Sequence, residues 1–129
     1  MDWTLEVVIV PVSDVDRAKS FYQDKVGFTL DHDVSQVEGM RVVQLTPRGS
    51  GCSVVVGTGL TDAAPGSLKG VQLVVSDIEA ARAELVGRGV EVDEIQRFDE
   101  RDGSAFVHFS DPDGNTWTVQ EIRARAGKE

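Results

Sequence analysis

The sequence predicts an α+β fold assembled from two copies of a β-α-β-β-β unit. Three observations carry that expectation. A short segment recurs at an offset of 63 residues, each copy reads as strand, cap and helix, and each helix is followed by three strand-like runs divided by turn residues. Two copies at this spacing indicate two supersecondary units, since a solenoid needs three or more.

The repeat is read by aligning Val10 to Lys19 with Leu73 to Arg82. Val12, Ser13, Asp14 and Ala18 recur as Val75, Ser76, Asp77 and Ala81. Val15 recurs as Ile78, Asp16 as Glu79 and Lys19 as Arg82. Leu5 to Val12 is rich in β-branched residues and fits a strand. Ser13 or Asp14 can then accept hydrogen bonds from the free N–H groups of a following helix, and Asp16 puts negative charge in the first turn, where the helix dipole favours it. Val15, Ala18 and Tyr22 form an apolar stripe at helical spacing, and Gly27 supplies a stop. In the second copy Val71 to Val75 is the strand, Asp77 the cap, Ile78, Ala81 and Leu85 the stripe, and Gly87 with Gly89 the end. Helices are thus expected over 14–26 and 77–88, on the outer faces of the sheets.

The remaining strands are expected at Phe28 to Val34, Arg41 to Thr46 and Cys52 to Val56, then at Val90 to Gln96, Ser104 to Phe109 and Thr116 to Ile122. Pro47 to Gly51 and Asp111 to Asn115 read as hairpin turns. The chain therefore divides into module one at 1–57, a connection at 58–67, module two at 68–122 and a solvated tail at 123–129. The glycine- and proline-containing connection reads as an ordered link, with a short turn at Thr61 to Ala64.

Composition narrows the functional classes. The 129 residues suit one domain that needs no disulfide or metal to fold. Hydrophobic residues at 40% and charged residues at 27% are ordinary for a globular protein. The apolar stretch from Val7 to Val12 is too short to span a bilayer, so no membrane partner is expected. No signal-peptide pattern follows Met1, and the lone Cys52 cannot form an internal disulfide, which points to the cytoplasm. A net charge of −9 with scattered basic residues argues against nucleic acid as a partner. No G-x-S-x-G elbow supports a Ser/His/Asp triad, and Gly57 and Gly59 lack the context of a dinucleotide fingerprint.

The strings Val12-Ser13-Asp14, Phe21-Tyr22, Gly27-Phe28, Val75-Ser76-Asp77, Ala80-Ala81 and, most specifically, Phe109-Ser110-Asp111-Pro112-Asp113-Gly114-Asn115 resemble the vicinal oxygen chelate superfamily of glyoxalase, bleomycin-resistance and dioxygenase-like proteins. The resemblance runs from about Leu5 to Ile122. It implies two βαβββ modules whose sheets curl around a shared cavity, and often a homodimer. Metal-using members hold an ion there with four His, Gln or Glu ligands from the first and fourth strands of each module. Counting from the Asp14, Asp77 and Asp111 anchors puts those positions at Val7, Val55 (or Ser53), Gly70 and Thr118. None is a useful ligand for a divalent ion, which needs imidazole, thiolate or carboxylate donors.

The expected function is therefore metal-free and cofactor-free binding or sequestration of a small organic molecule in a mostly apolar cavity. Its expected lining is Val7, Ile9, Val55, Gly70, Gln72, Phe106, Thr118 and Gln120. His108, which shares strand parity with Phe106, is the candidate acid/base of a rival reading, a metal-independent lyase or isomerase. A further rival is a metal enzyme with other ligands, drawn from His32, His108 and carboxylates. His32, between Asp31 and Asp33, reads as a solvated edge residue. Glu121 has opposite parity to Thr118 and is expected to be exposed.

Overall fold

The structure, a computed structural model, describes residues 1–99 and 104–125. Within it the chain forms two compact units. The first is residues 1–68 joined by 111–115, and the second is the rest of the chain from Lys69 on.

In the first unit, β1 (Val7–Ile9) leads into α1 (Val15–Ser20), which widens into a π-helical turn over Phe21–Val26 before Gly27. Three strands follow: β2 (Thr29–Val34), β3 (Arg41–Thr46) and β4 (Ser53–Thr58). The sheet order is β1-β4-β3-β2, with β1 parallel to β4 and the other pairs antiparallel. The Asp14 carboxylate caps α1 by accepting from the Arg17 N–H at 3.1 Å. Ala18, Phe21 and Tyr22 turn inward, and the core they join holds Val43, Leu45, Val54 and Val56. Tyr22 stacks on Phe28 with ring centroids 5.9 Å apart.

The second unit repeats the plan. β5 (Val71–Val75) precedes α2 (Ile78–Gly87), then β6 (Gln96–Asp99), β7 (Ser104–Ser110) and β8 (Thr116–Glu121). The order β5-β8-β7-β6, again with the first and last strands parallel, matches the first sheet strand for strand. Asp77 caps α2 on the Ala80 N–H at 3.1 Å. Ile78 and Leu85 are buried, and the core beside them holds Val107, Phe109, Trp117 and Val119. Neither sheet closes into a barrel.

Two strands depart from expectation. β1 covers only part of Leu5–Val12. Its ladder runs from the Glu6 carbonyl, which accepts from Ser53, to the Val10 N–H, which donates to Val55, and Pro11 has no N–H to continue it. The strand expected at Val90 to Gln96 begins only at Gln96. The carbonyls of Val92 and Asp93 are taken by the Arg82 guanidinium of α2, at 3.2 and 2.8 Å, and toward β7 the segment gives a single long backbone bond among the described residues, from the Asp93 N–H to the His108 carbonyl at 3.4 Å.

The turn after β7 explains why residues 111–115 belong with the first unit. The buried Asp111 carboxylate accepts from the Tyr22 hydroxyl at 2.7 Å, the Asn115 side chain at 2.8 Å, and the Asp113 and Asn115 N–H groups at 2.9 Å each. Asn115, with 0% exposure, also donates to the Pro11 carbonyl at 2.8 Å and accepts from the Leu68 N–H at 3.0 Å. Asp113 takes the Ser13 N–H at 3.1 Å and the Ser13 hydroxyl at 2.5 Å. Gly66 approaches so closely that a Cβ there would lie 2.1 Å from the Asp113 carbonyl oxygen. The connection is ordered by these contacts and by a Ser67 to Ala64 turn.

After β8 a single 3-10 turn covers Arg123–Arg125; the remainder of the expected tail, 126–129, lies outside the described residues. No helix among the described residues is long and apolar enough to cross a membrane.

Candidate functional site

Alternation along each strand gives each sheet one face toward its helix and one far face. The far face of the second sheet carries most of the candidate residues in registered rows. Gln72, Thr118 and His108 stand side by side across β5, β8 and β7. The next row is Val74, Gln120, Phe106 and Gln96. Gln72 donates from its amide to Gln120. Neighbours in such rows have Cβ atoms about 5 Å apart, so their side chains present one continuous surface. Gly70 is exposed at the end of β5, with φ +73 and open space around it.

His108 is held in one orientation. The Asp93 carboxylate accepts the His108 backbone N–H at 2.6 Å and lies 2.9 Å from the ring Nδ1. A carboxylate only accepts, so Nδ1 is the donor in this bond, and in the neutral ring the lone pair is then on Nε2. A cleft of about 250 Å³ beside the ring is bounded by Glu91, Asp93, His108, Phe109, Ser110 and Thr116. Phe98, 72% exposed, meets Phe106 edge-to-face with centroids 5.7 Å apart. Asp93 and Phe98 were not among the sequence candidates. Finding Asp93 required the register of its segment against β7, because nothing in the local spacing ties residue 93 to residue 108.

In the first sheet Val7 lies beside Ser53, and Ile9 beside Val55, followed in the row by Gln44 and His32. The neighbour of Val7 is thus Ser53, the alternative to Val55. Val7 and Ile9 are each 40% exposed, whereas Val55 is buried at 6%. His32 is exposed, as expected. Asp31 accepts from the Thr46 hydroxyl and from Gln44, and these hydrogen bonds, Thr46 first, hold its carboxyl below the usual carboxylate range. A second cavity of about 270 Å³ lies between the β1–α1 turn and the segment after β4, with no charged side chain in its lining.

Glu121 corrects the sequence reading. It does face away from Thr118, but that face packs on the helix, so Glu121 is 5% exposed. Its carboxylate accepts the Ile78 N–H at the start of α2 at 2.9 Å and pairs with Arg123 at 3.0 Å and Arg97 at 3.6 Å. Burial pushes its pKa up, yet the Ile78 N–H and the two arginines outweigh this and hold it below the ordinary value. Among the described residues no three His, Cys, Asp or Glu side chains gather as a metal site.

Two four-stranded mixed sheets of identical strand order, each with one helix against one face, define a paired βαβββ protein. The chain belongs to the Glyoxalase/Bleomycin resistance protein/Dioxygenase superfamily, whose sequence model matches residues 4–119. It is similar to TnmS3, an antibiotic binding protein from Streptomyces sp. CB03234, with 36% identity, a TM-score of 0.82, and coverage of 94% of this chain and 97% of that one. A glyoxalase/bleomycin resistance protein from the same organism is 37% identical, with a TM-score of 0.79 over 92% of this chain and 100% of that one. A superfamily member from Sphaerobacter thermophilus DSM 20745 is 29% identical, with a TM-score of 0.80 over 93% and 98%. No curated protein matches the chain.

Proposed function

We propose that the chain binds and sequesters a small organic molecule, of the antibiotic class, on the far faces of its sheets, without a divalent metal. The observation that carries this reading is the chemistry at the superfamily's ligand positions. Val7 has no lone pair, Ser53 and Thr118 offer only neutral hydroxyls, and Gly70 has no side chain. Such a set does not fit zinc, iron, manganese, nickel or cobalt. On the second sheet Phe106, Gln72 and Gln120 supply an aromatic ring with two amide groups, the mixture that orients an organic ligand. The similarity to an antibiotic binding protein supports the same reading.

A homodimer is part of the proposal. Met1, Trp3, Leu5, Val7 and Ile9 alternate with other residues along the chain, and all five are exposed, Trp3 by 89%. They lie on or before β1, which among the described residues is an edge strand paired with β4. An apolar edge of this kind is normally covered, and a second copy covers it without requiring another protein.

The test is calorimetric titration of the purified protein with bleomycin and a panel of aromatic antibiotics, with elemental analysis of the same sample. Saturable binding of at least one compound to metal-free protein, weakened about tenfold by Phe106→Ala, is expected. One cavity-bound metal per chain, with binding or turnover lost on chelation, refutes the metal-free reading. Sedimentation showing only a 14.0 kDa species refutes the dimer.

A further inference from the structure

The His108–Asp93 pair is more than a ligand-binding surface requires, and it lies beside an aromatic platform. We propose that His108 is a general base of fixed tautomer, positioned by Asp93, acting on a flat aromatic carbonyl compound with a weakly acidic C–H. Such catalysis is independent of the sequestration reading and can fail or hold without it.

The geometry supplies each part. Asp93 grips both the ring Nδ1 and the backbone N–H of His108, which sets the ring's rotation and leaves the Nε2 lone pair as the basic atom. The side chains are 44% and 39% exposed, and both residues line the adjoining cleft, so the pair is open to a ligand. Two residues along β7 on the same face, roughly 7 Å away, Phe106 with Phe98 offers rings on which a flat molecule stacks. Thr118 stands opposite His108 in the register, and its hydroxyl can donate to an oxygen that gains charge. In the step, the substrate C–H bond breaks and the proton passes to Nε2. The bonding pair moves onto the neighbouring carbonyl, giving an enolate hydrogen-bonded by Thr118. The imidazolium, stabilised by Asp93, then returns the proton to another atom of the same framework. The net change is an isomerisation, which needs no oxidant, reductant or metal.

The probe is 5-nitrobenzisoxazole, an aromatic carbon acid. Transfer of its C3 proton to a base converts the C–H pair into the third bond of a nitrile, breaks the N–O bond and releases a coloured nitrophenolate. Full-length protein should exceed free imidazole at equal concentration. His108→Ala should lose about 100-fold of the rate, the usual worth of a general base. Asp93→Ala and the shape-preserving Asp93→Asn should each lower kcat about tenfold or more with KM within about twofold, and His32→Ala should match wild type. In 15N NMR, Nδ1 of His108 should give a pyrrole-type and Nε2 a pyridine-type resonance, a pattern lost in Asp93→Ala. Wild type no faster than imidazole, an unimpaired His108→Ala, or a proton on Nε2 in wild type overturns the proposal.

Discussion

Replacing Asp111 by alanine should be among the most damaging single changes in the chain. The carboxylate accepts four hydrogen bonds, and three of its donors, the Tyr22 hydroxyl and the Asn115 backbone and side-chain N–H groups, belong to residues with 0% exposure. Alanine removes the acceptor and leaves these donors buried. Each buried, unpaired polar group costs about 1–3 kcal/mol, and partial entry of water trims the sum, so a loss of about 3–5 kcal/mol follows. That is a large share of a typical domain stability of roughly 5–15 kcal/mol. Tyr22→Phe deletes one donor and leaves the carboxylate three partners, so about 1–2 kcal/mol is expected. The assay is urea unfolding at neutral pH for wild type, both single variants and the double variant. Because the two groups share one bond, the double variant should lose less than the sum of the singles, by about 1 kcal/mol. An Asp111→Ala loss below about 1 kcal/mol, or strict additivity with Tyr22→Phe, would refute the idea that this buried acceptor anchors the turn.

Three further outcomes follow from the structure. Glu121→Gln should cost about 1–2 kcal/mol at neutral pH by weakening the α2 start and its arginine partners; because the native pKa lies below the reference 4.5, the wild-type advantage should be present above that pH and fade below it, as urea midpoints across pH will show. Asp33 is bound by Arg41 at 2.8 Å and Lys19 at 2.9 Å, which hold its carboxyl far below the ordinary 3.8, so wild type should lose stability as pH falls under about 4 while Asp33→Asn, already weaker by about 1 kcal/mol, changes less. Gly66→Ala and Gly70→Ala share the same left-handed backbone, with φ +81 and +73, and each carries about 1–2 kcal/mol of strain, but only position 66 collides with a carbonyl, so thermal melts should show Gly66→Ala to be clearly the worse.

What the sequence disclosed depended on how local each signal was. The caps Asp14 and Asp77 act on N–H groups three residues away, so spacing alone revealed them. The 63-residue repeat revealed that both sheets share one strand order, because one unit's topology had to serve twice. The expected strand at Val90 to Gln96 failed for a non-local reason: Arg82, on the preceding helix, captures the carbonyls of Val92 and Asp93. Glu121 failed differently. Strand parity gave the correct face, but parity does not say whether a face meets water or a helix. Asp93 was invisible because its role depends on a partner fifteen residues away across an irregular segment.

The same division explains why the superfamily is easily recognised and its chemistry is not. The most specific string, Asp111 to Asn115, is structural, since its side chains bind Tyr22, Ser13, Pro11 and Leu68. The Asp14 and Asp77 anchors likewise cap their own helices. None of these residues is on a far face. Positions 7, 53, 70 and 118 do occupy far faces; Val7, Gly70 and Thr118 stay partly open there, while Ser53 is buried at 8% exposure. A chain can therefore keep every motif of the fold whatever it carries on those faces, here valine, serine, glycine and threonine. The motifs locate the face, and the residues on it must be read individually. On the second sheet those residues are Gln72, Phe106, Thr118 and Gln120, beside an imidazole at His108 that Asp93 holds in place.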